Sequence, residues 1–245
     1  MAKVTQKPAV GISSCLLGEK VRYDGGHQLD VTIQQTLSQH FDFISFCPEI
    51  KIGMGVPRKP IRLIKKVDGL HCVAAHDEDR DYTEKLISCA AERRTTHCNL
   101  SGYIFKSGSP SCGVNHVKVY DNGRQSRDGV GMFARTLMEE FPHMPVEEET
   151  RLGQPLLREN FIQRVLVMQQ WIKLCDRQLT IESLKNFHER LRSVVFIHGT
   201  EAGDRLDKLV TELYSESLSL QAPIYLAALM GILKPRDYCR GIKTN

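Results

Sequence analysis

The sequence predicts an α/β fold for its first part, a mostly parallel sheet with helices on both faces, followed by a smaller all-α domain. Three observations lead there. Short apolar runs alternate with helically spaced segments up to about residue 140, a stretch rich in proline and glutamate then interrupts the pattern, and every segment beyond it has helical period.

Val10 to Cys15 and Phe41 to Cys47 are apolar runs of strand length, and Val31 to His40 between them has helical spacing, so the three read as a β-α-β unit with parallel strands. Pro60 to Ala75, turning at Asp68-Gly69, reads as an inserted hairpin. Asp81 with Glu84 three residues on suggests a capped start for a helix carrying Leu86, Ile87, Ala90 and Ala91 on one face. Gly102 to Lys106 follows as a strand and Val130 to Phe141 as a helix. From Pro142 to Pro155, three prolines and the run Glu147 to Glu149 fit neither period, so this stretch is expected to be a linker, with one domain at 1–150 and a second at 151–245. In the second, Phe161, Val165, Met168, Ile172 and Cys175 form one helical stripe, and Ile181, Leu184, Phe187, Leu191 and Val194 another. Leu206, Leu209 and Leu213 continue the pattern, and Pro223 suits the first turn of a last helix.

At 245 residues, with 41% hydrophobic and 25% charged residues, the chain has ample material for a packed core. The segment MAKVTQKPAV lacks the apolar core of a signal peptide, and the apolar run Tyr225 to Leu233 is short for a membrane span, so a cytoplasmic location is expected. The net charge of +4 is unevenly distributed: residues 1–150 carry 19 Lys and Arg against 19 Asp and Glu, and residues 151–245 carry 14 against 10. That excess leaves room for a phosphate-bearing partner.

Eight cysteines in a reducing compartment argue against a disulfide framework. Cys15 ends the first strand, Cys47 ends the second, and Cys112 follows the third in KSGSPSCG. In a parallel sheet the carboxyl ends of the strands share one edge, where ligands bind, so these three thiols should converge. Glycines and prolines around Cys47 and Cys112 let backbone amides approach a negative centre closely. Three thiolates suit a structural zinc with a fourth ligand, a redox centre, or a [4Fe-4S] cluster with one iron left open; buried apolar cysteines are the plain alternative. The chain contains no C-x-x-C, which weakens the zinc-knuckle and dithiol readings. Cys72, Cys89, Cys98, Cys175 and Cys239 lack comparable loops and are expected to be core or surface thiols, as Trp171, His188 and His198 are expected to serve helix packing.

The motifs SSCLLGEKVRYDGG, FCPEIKIGMGVPRKPIRL and GYIFKSGSPSCG, in that order, resemble the thiouracil desulfidase family over roughly residues 8 to 150. The remainder, with RLGQPLLRENFIQRV and LKNFHERLRSVVFIH, resembles a helical domain of unknown function often fused behind it, here shortened at its C-terminus. The resemblance implies a [4Fe-4S] cluster on Cys15, Cys47 and Cys112 and a non-redox removal of sulfur from thiouracil-like bases or from 4-thiouridine in nucleotides and tRNA. Such a reaction needs a base for water and a proton source near the ring. Glu49, two residues after Cys47, is the candidate base, and Ser109, three before Cys112, the candidate proton donor. Arg22 and Arg58 are candidates for a phosphate or pyrimidine oxygen, and Asp24 for the same substrate pocket or for fixing its loop. A non-catalytic RNA- or partner-binding module with structural cysteines is the alternative.

Overall fold

A computed structural model describes residues 6–92 and 94–235, so Cys239 and the first five residues of the N-terminal segment lie outside the described residues. Strand β1 (Ala9–Ser13) is followed by helix α1 (Val31–Gln35), strand β2 (Asp42–Phe46) and the single-turn helix α2 (Pro48–Lys51). Next come β3 (Ile61–Lys66), β4 (Gly69–Ala74) and β5 (Asp77–Asp81), then α3 (Thr83–Glu92), α4 (Arg94–His97) and β6 (Gly102–Phe105). The hairpin of β7 (Val117–Asp121) and β8 (Arg124–Gly129) precedes α5 (Met132–Glu140), β9 (Val146–Glu148) and α6 (Glu149–Leu152). Four longer helices complete the described chain: α7 (Pro155–Asp176), α8 (Ile181–Ile197), α9 (Thr200–Thr211) and α10 (Leu218–Leu233).

The fold is the expected α/β one. The first sheet runs β2-β1-β6-β9 and every neighbouring pair in it is parallel. Strand β1 is buried along most of its length, as a central parallel strand must be. Its neighbours β2 and β6 lie on opposite sides, so the strand order reverses beside β1, and that reversal opens a crevice at the carboxyl ends. The expected helix Val31 to His40 is shorter than its periodicity suggests. Asp30 caps it through Ile33 N–H at 3.0 Å, but Ser38 Oγ returns to the Gln34 carbonyl at 2.5 Å and the chain tightens into a 3-10 turn at Leu37–Gln39.

A second, mixed sheet runs β5-β4-β3-β7-β8. The inserted hairpin forms as expected, with Ile61 opposite Ala74 and Lys66 opposite Gly69. A second hairpin turns at Asn122-Gly123, both with positive φ (46° and 79°), the pairing a tight two-residue turn demands. Ile61, Leu63, Cys72, Leu86, Val117, Val119 and Met132 form the apolar core on this sheet.

The expected linker is structured. Residues 146–148 form the edge strand β9, paired with β6 through Tyr103–Val146, Ile104–Glu147 and Phe105–Glu148. Glu147, Glu148 and Glu149 are all buried. Compactness divides the chain into units of residues 1–161 and 162–245, with the change falling inside α7. In the second unit, Trp171 stacks on Tyr225 with ring centroids 6.1 Å apart, and Phe187, Leu184, Leu191, Leu206 and Leu229 complete the core. His188 is buried among them, with Nδ1 3.1 Å from Tyr225 Oη and Nε2 2.8 Å from Asp207 Oδ1. Two details of the helical stripes differ from expectation. Cys175 is exposed, and Pro223 lies inside α10 because the helix starts about one turn earlier. The 19 residues 215–233 contain an 18-residue window of mean hydropathy 1.3, enough by length and composition for a span, although Tyr225, Leu229 and Leu233 are core residues of the helical unit.

Candidate metal centre and active site

The crevice beyond the parallel sheet is a cavity of about 350 Å³. Cys15 reaches it from the 3-10 turn Ser14–Leu17 directly after β1, and Cys47 from the N-cap of α2 directly after β2. Cys112 reaches it from the loop between β6 and β7. All three are free thiols. They share one cavity but do not converge on an ion-sized point: among the described residues no three His, Cys, Asp or Glu side chains come together closely enough for a single metal ion. Burial pushes the Cys15 thiol up to about 11, reinforced by Cys47 and opposed by the charges of Lys106 and Arg22. Burial likewise raises Cys47, against N–H donation from Ile50 and the charge of Arg58. Cys112 is raised as well, by burial first and then by Cys47 and Glu49, against a hydrogen bond with Ser13. Thiols held so high bind as thiolates only when a positive centre displaces their protons.

Glu49 lies on the first turn of α2, where Pro48 begins the helix. Its Oε2 accepts Arg58 Nε at 2.9 Å and Nη2 at 2.7 Å, while Oε1 accepts Ser111 Oγ at 2.5 Å. Arg58 also donates to the carbonyls of Val21, at 2.9 Å, and Gly55, at 3.2 Å. Ser109 Oγ accepts the N–H of Ser111 at 3.3 Å and of Cys112 at 3.1 Å, and lies 3.1 Å from Ser111 Oγ. Because the Ser111 proton goes to Glu49, Ser109 is the donor in that last contact. The result is a hydrogen-bonded row, Ser109 to Ser111 to Glu49, whose two end residues line the cavity while Ser111 between them is fully buried.

Of the residues singled out from sequence, Cys15, Cys47, Cys112, Glu49, Ser109, Arg22 and Arg58 line this cavity. Asp24 does not: it accepts Gly26 N–H at 2.9 Å and sits 3.7 Å from Arg22 Nε, fixing the turn that carries Arg22. Several participants were not read from the sequence. Ser111 stood inside a quoted motif but had no role there, and Lys106, Ser107 and Gln28 line the cavity as well. Lys106 Nζ donates to Ser107 O at 3.1 Å and to Glu149 Oε1. Glu149 also accepts Ser107 N–H and Ser107 Oγ, each at 2.7 Å, and Glu148 Oε1 accepts Val114 N–H at 2.7 Å and Asn115 N–H at 3.1 Å. A run of three glutamates reads as a solvated linker, so no sequence signal marked these two.

Comparison with known proteins places this geometry in context. A solved structure described as the [4Fe-4S]-dependent thiouracil desulfidase TudS is 27% identical, covering 63% of this chain and 97% of that one with a TM-score of 0.48. The Bacillus subtilis (strain 168) protein YbbK, described as uncharacterised, is 32% identical over 112 residues, which span 43% of this chain and 74% of the relative. The family model for 2-thiouracil desulfurase matches residues 10–149, the stretch that carries the parallel sheet, all three cavity cysteines and Glu49. On that match, which covers more than half of its length, the chain belongs to the 2-thiouracil desulfurase family.

Proposed function

We propose that this chain is a desulfidase that holds a [4Fe-4S] cluster on Cys15, Cys47 and Cys112 and replaces the sulfur of a thiolated pyrimidine by oxygen. The observation that carries this reading is the shared cavity: three free thiols, from the segments that follow three neighbouring parallel strands, line one space together with Glu49. The donor set fits the group. Three thiolates spread around a cavity suit a cluster whose ligands each hold a different iron, and the nearby cations Arg22 and Lys106 offset the negative charge of such a centre. When bound, the cluster supplies an iron with a vacant position, a soft Lewis acid for a carbon–sulfur double bond.

The chain's own residues account for the proton traffic. With the pyrimidine bound in its thiolate form, Glu49 takes one proton from water, whose oxygen bonds to the ring carbon as the carbon–sulfur bond breaks; the sulfur leaves as hydrosulfide with the water's second proton, and no electrons are gained or lost. At rest the row points toward the base, Ser109 donating to Ser111 and Ser111 to Glu49; once Glu49 is protonated both hydroxyls turn, so that Glu49 donates to Ser111, Ser111 to Ser109 and Ser109 to the ring, each passing on its own proton as it receives one. Arg58 directs its donors to Glu49, Val21 and Gly55, so we assign it to holding the base. Arg22 takes the recognition of a pyrimidine oxygen or phosphate.

The substrate is a thiolated base, free, as a nucleotide or within tRNA. The positive excess after residue 150 suits a phosphate-bearing form. The test is sulfide release by anaerobically reconstituted protein from 2-thiouracil, 4-thiouridine monophosphate and thiolated tRNA. Release from at least one supports the reading; none from iron-loaded protein contradicts it.

A further inference from the structure

Glu148 and Glu149 are buried carboxylates, 5% and 8% exposed, that take no part in the proton row. A buried carboxylate must be satisfied by strong donors, and the donors here all come from one loop. Glu148 holds Val114 and Asn115, two and three residues after Cys112. Glu149 holds Ser107, five residues before it, through both the backbone N–H and the hydroxyl. Consecutive strand residues ordinarily point to opposite faces, but β9 ends at Glu148 and α6 begins at Glu149, and the change of direction lets both carboxylates reach the same loop. Glu149 also anchors Lys106, the cation beside Cys15.

We infer that Glu148 and Glu149 are positioning residues for the third cysteine ligand: they clamp both flanks of the Ser107–Asn115 loop, so an edge strand without a cysteine fixes where Cys112 and Lys106 stand. This rests on Cys112 being a cluster ligand, as proposed above. Partners that orient metal ligands typically matter about 10- to 100-fold in metal affinity when removed.

The experiment measures iron release to a chelator from the reconstituted full chain, well below the melting temperature of each apoprotein, together with amide hydrogen exchange of the 107–115 segment in the apoprotein. Glu148→Ala and Glu149→Gln should release iron about tenfold faster or more than the wild type and speed exchange across 107–115. Glu148→Gln keeps an acceptor oxygen where Oε1 stands and should restore release to within about threefold of the wild type. Wild-type release and exchange in both Glu148→Ala and Glu149→Gln would overturn the inference, as would equal acceleration in Glu148→Ala and Glu148→Gln. Should Glu148→Ala fail to fold, Glu149→Gln carries the test alone. A wild-type chain that takes up no iron would instead remove the cluster reading, while the exchange measurement would still decide whether the two glutamates hold the loop.

Discussion

Glu49 and Arg58 form a two-pronged ion pair, with Nε and Nη2 at 2.9 and 2.7 Å from one carboxylate oxygen and both side chains sheltered from solvent. The pair occupies Oε2 and leaves Oε1 to Ser111, so the carboxylate is fixed in direction before any substrate arrives. Glu49→Gln keeps the size of the side chain and removes its capacity to take a proton. Turnover per bound iron should fall by about 10² to 10⁴ while iron content stays at the wild-type level. A loss within about twofold would reassign the base.

Gly131 sits where no other residue fits. A Cβ there would lie 2.5 Å from the Ser111 carbonyl carbon, 2.6 Å from its oxygen and 2.7 Å from Cys112 N, all backbone atoms. Gly131→Ala must therefore push the Cys112 loop away, at a cost of about 1 to 3 kcal/mol in denaturant unfolding. Reconstituted iron content should fall alongside. Unchanged stability and iron content would mean that the loop yields freely.

Three strands of the parallel sheet and the three thiols were legible because β1 and β6 are buried apolar runs, Cys15 and Cys47 stand within two residues of the ends of β1 and β2, and Cys112 stands in the glycine-rich loop after β6. The second sheet was only half legible. β5 reads DEDRD and β8 reads RQSRDG, mostly exposed edge strands whose charges hide the alternation that marks a strand. β9 was missed for the opposite reason: Glu148 is buried against the N–H groups of Val114 and Asn115, distant in sequence, which local composition cannot show. Ser111 and Lys106 were missed because their roles depend on contacts across 62 and 43 residues, with Glu49 and Glu149 respectively.

The second sheet has a pH signature. Burial alone would raise the Asp81 carboxyl, but hydrogen bonds from Thr83 and His71 outweigh it and hold the group at about 2, below its usual 3.8. A depressed carboxyl stabilises the fold above its unfolded value and loses that contribution as pH falls from about 4 through about 2. Asp81→Asn should lower stability at neutral pH by about 1 kcal/mol, because solvent screens much of the linkage at this partly exposed group, with the difference from the wild type shrinking as pH falls from about 4 and lost below about 2. Melting curves across that range check it, and a gap independent of pH would exclude the charge as its source.

In the helical unit, His188 bridges Tyr225 and Asp207, and Arg192 meets Asp207 from the other side at 2.8 Å. His188→Phe retains the ring volume but leaves the Tyr225 hydroxyl without this partner. Unfolding of the helical unit should become easier by about 1 to 3 kcal/mol. Wild-type stability would show that the hydroxyl finds a replacement.

The cluster is the centre of the account, and iron and sulfide counts after anaerobic reconstitution test it most directly. The wild-type chain and the variants Cys72→Ser and Cys98→Ser should each bind about four irons and four sulfides. Cys15→Ser, Cys47→Ser and Cys112→Ser should each lose that complement and the visible absorption that accompanies it. No iron in the reconstituted wild type, or a full complement in Cys112→Ser, would contradict the assignment.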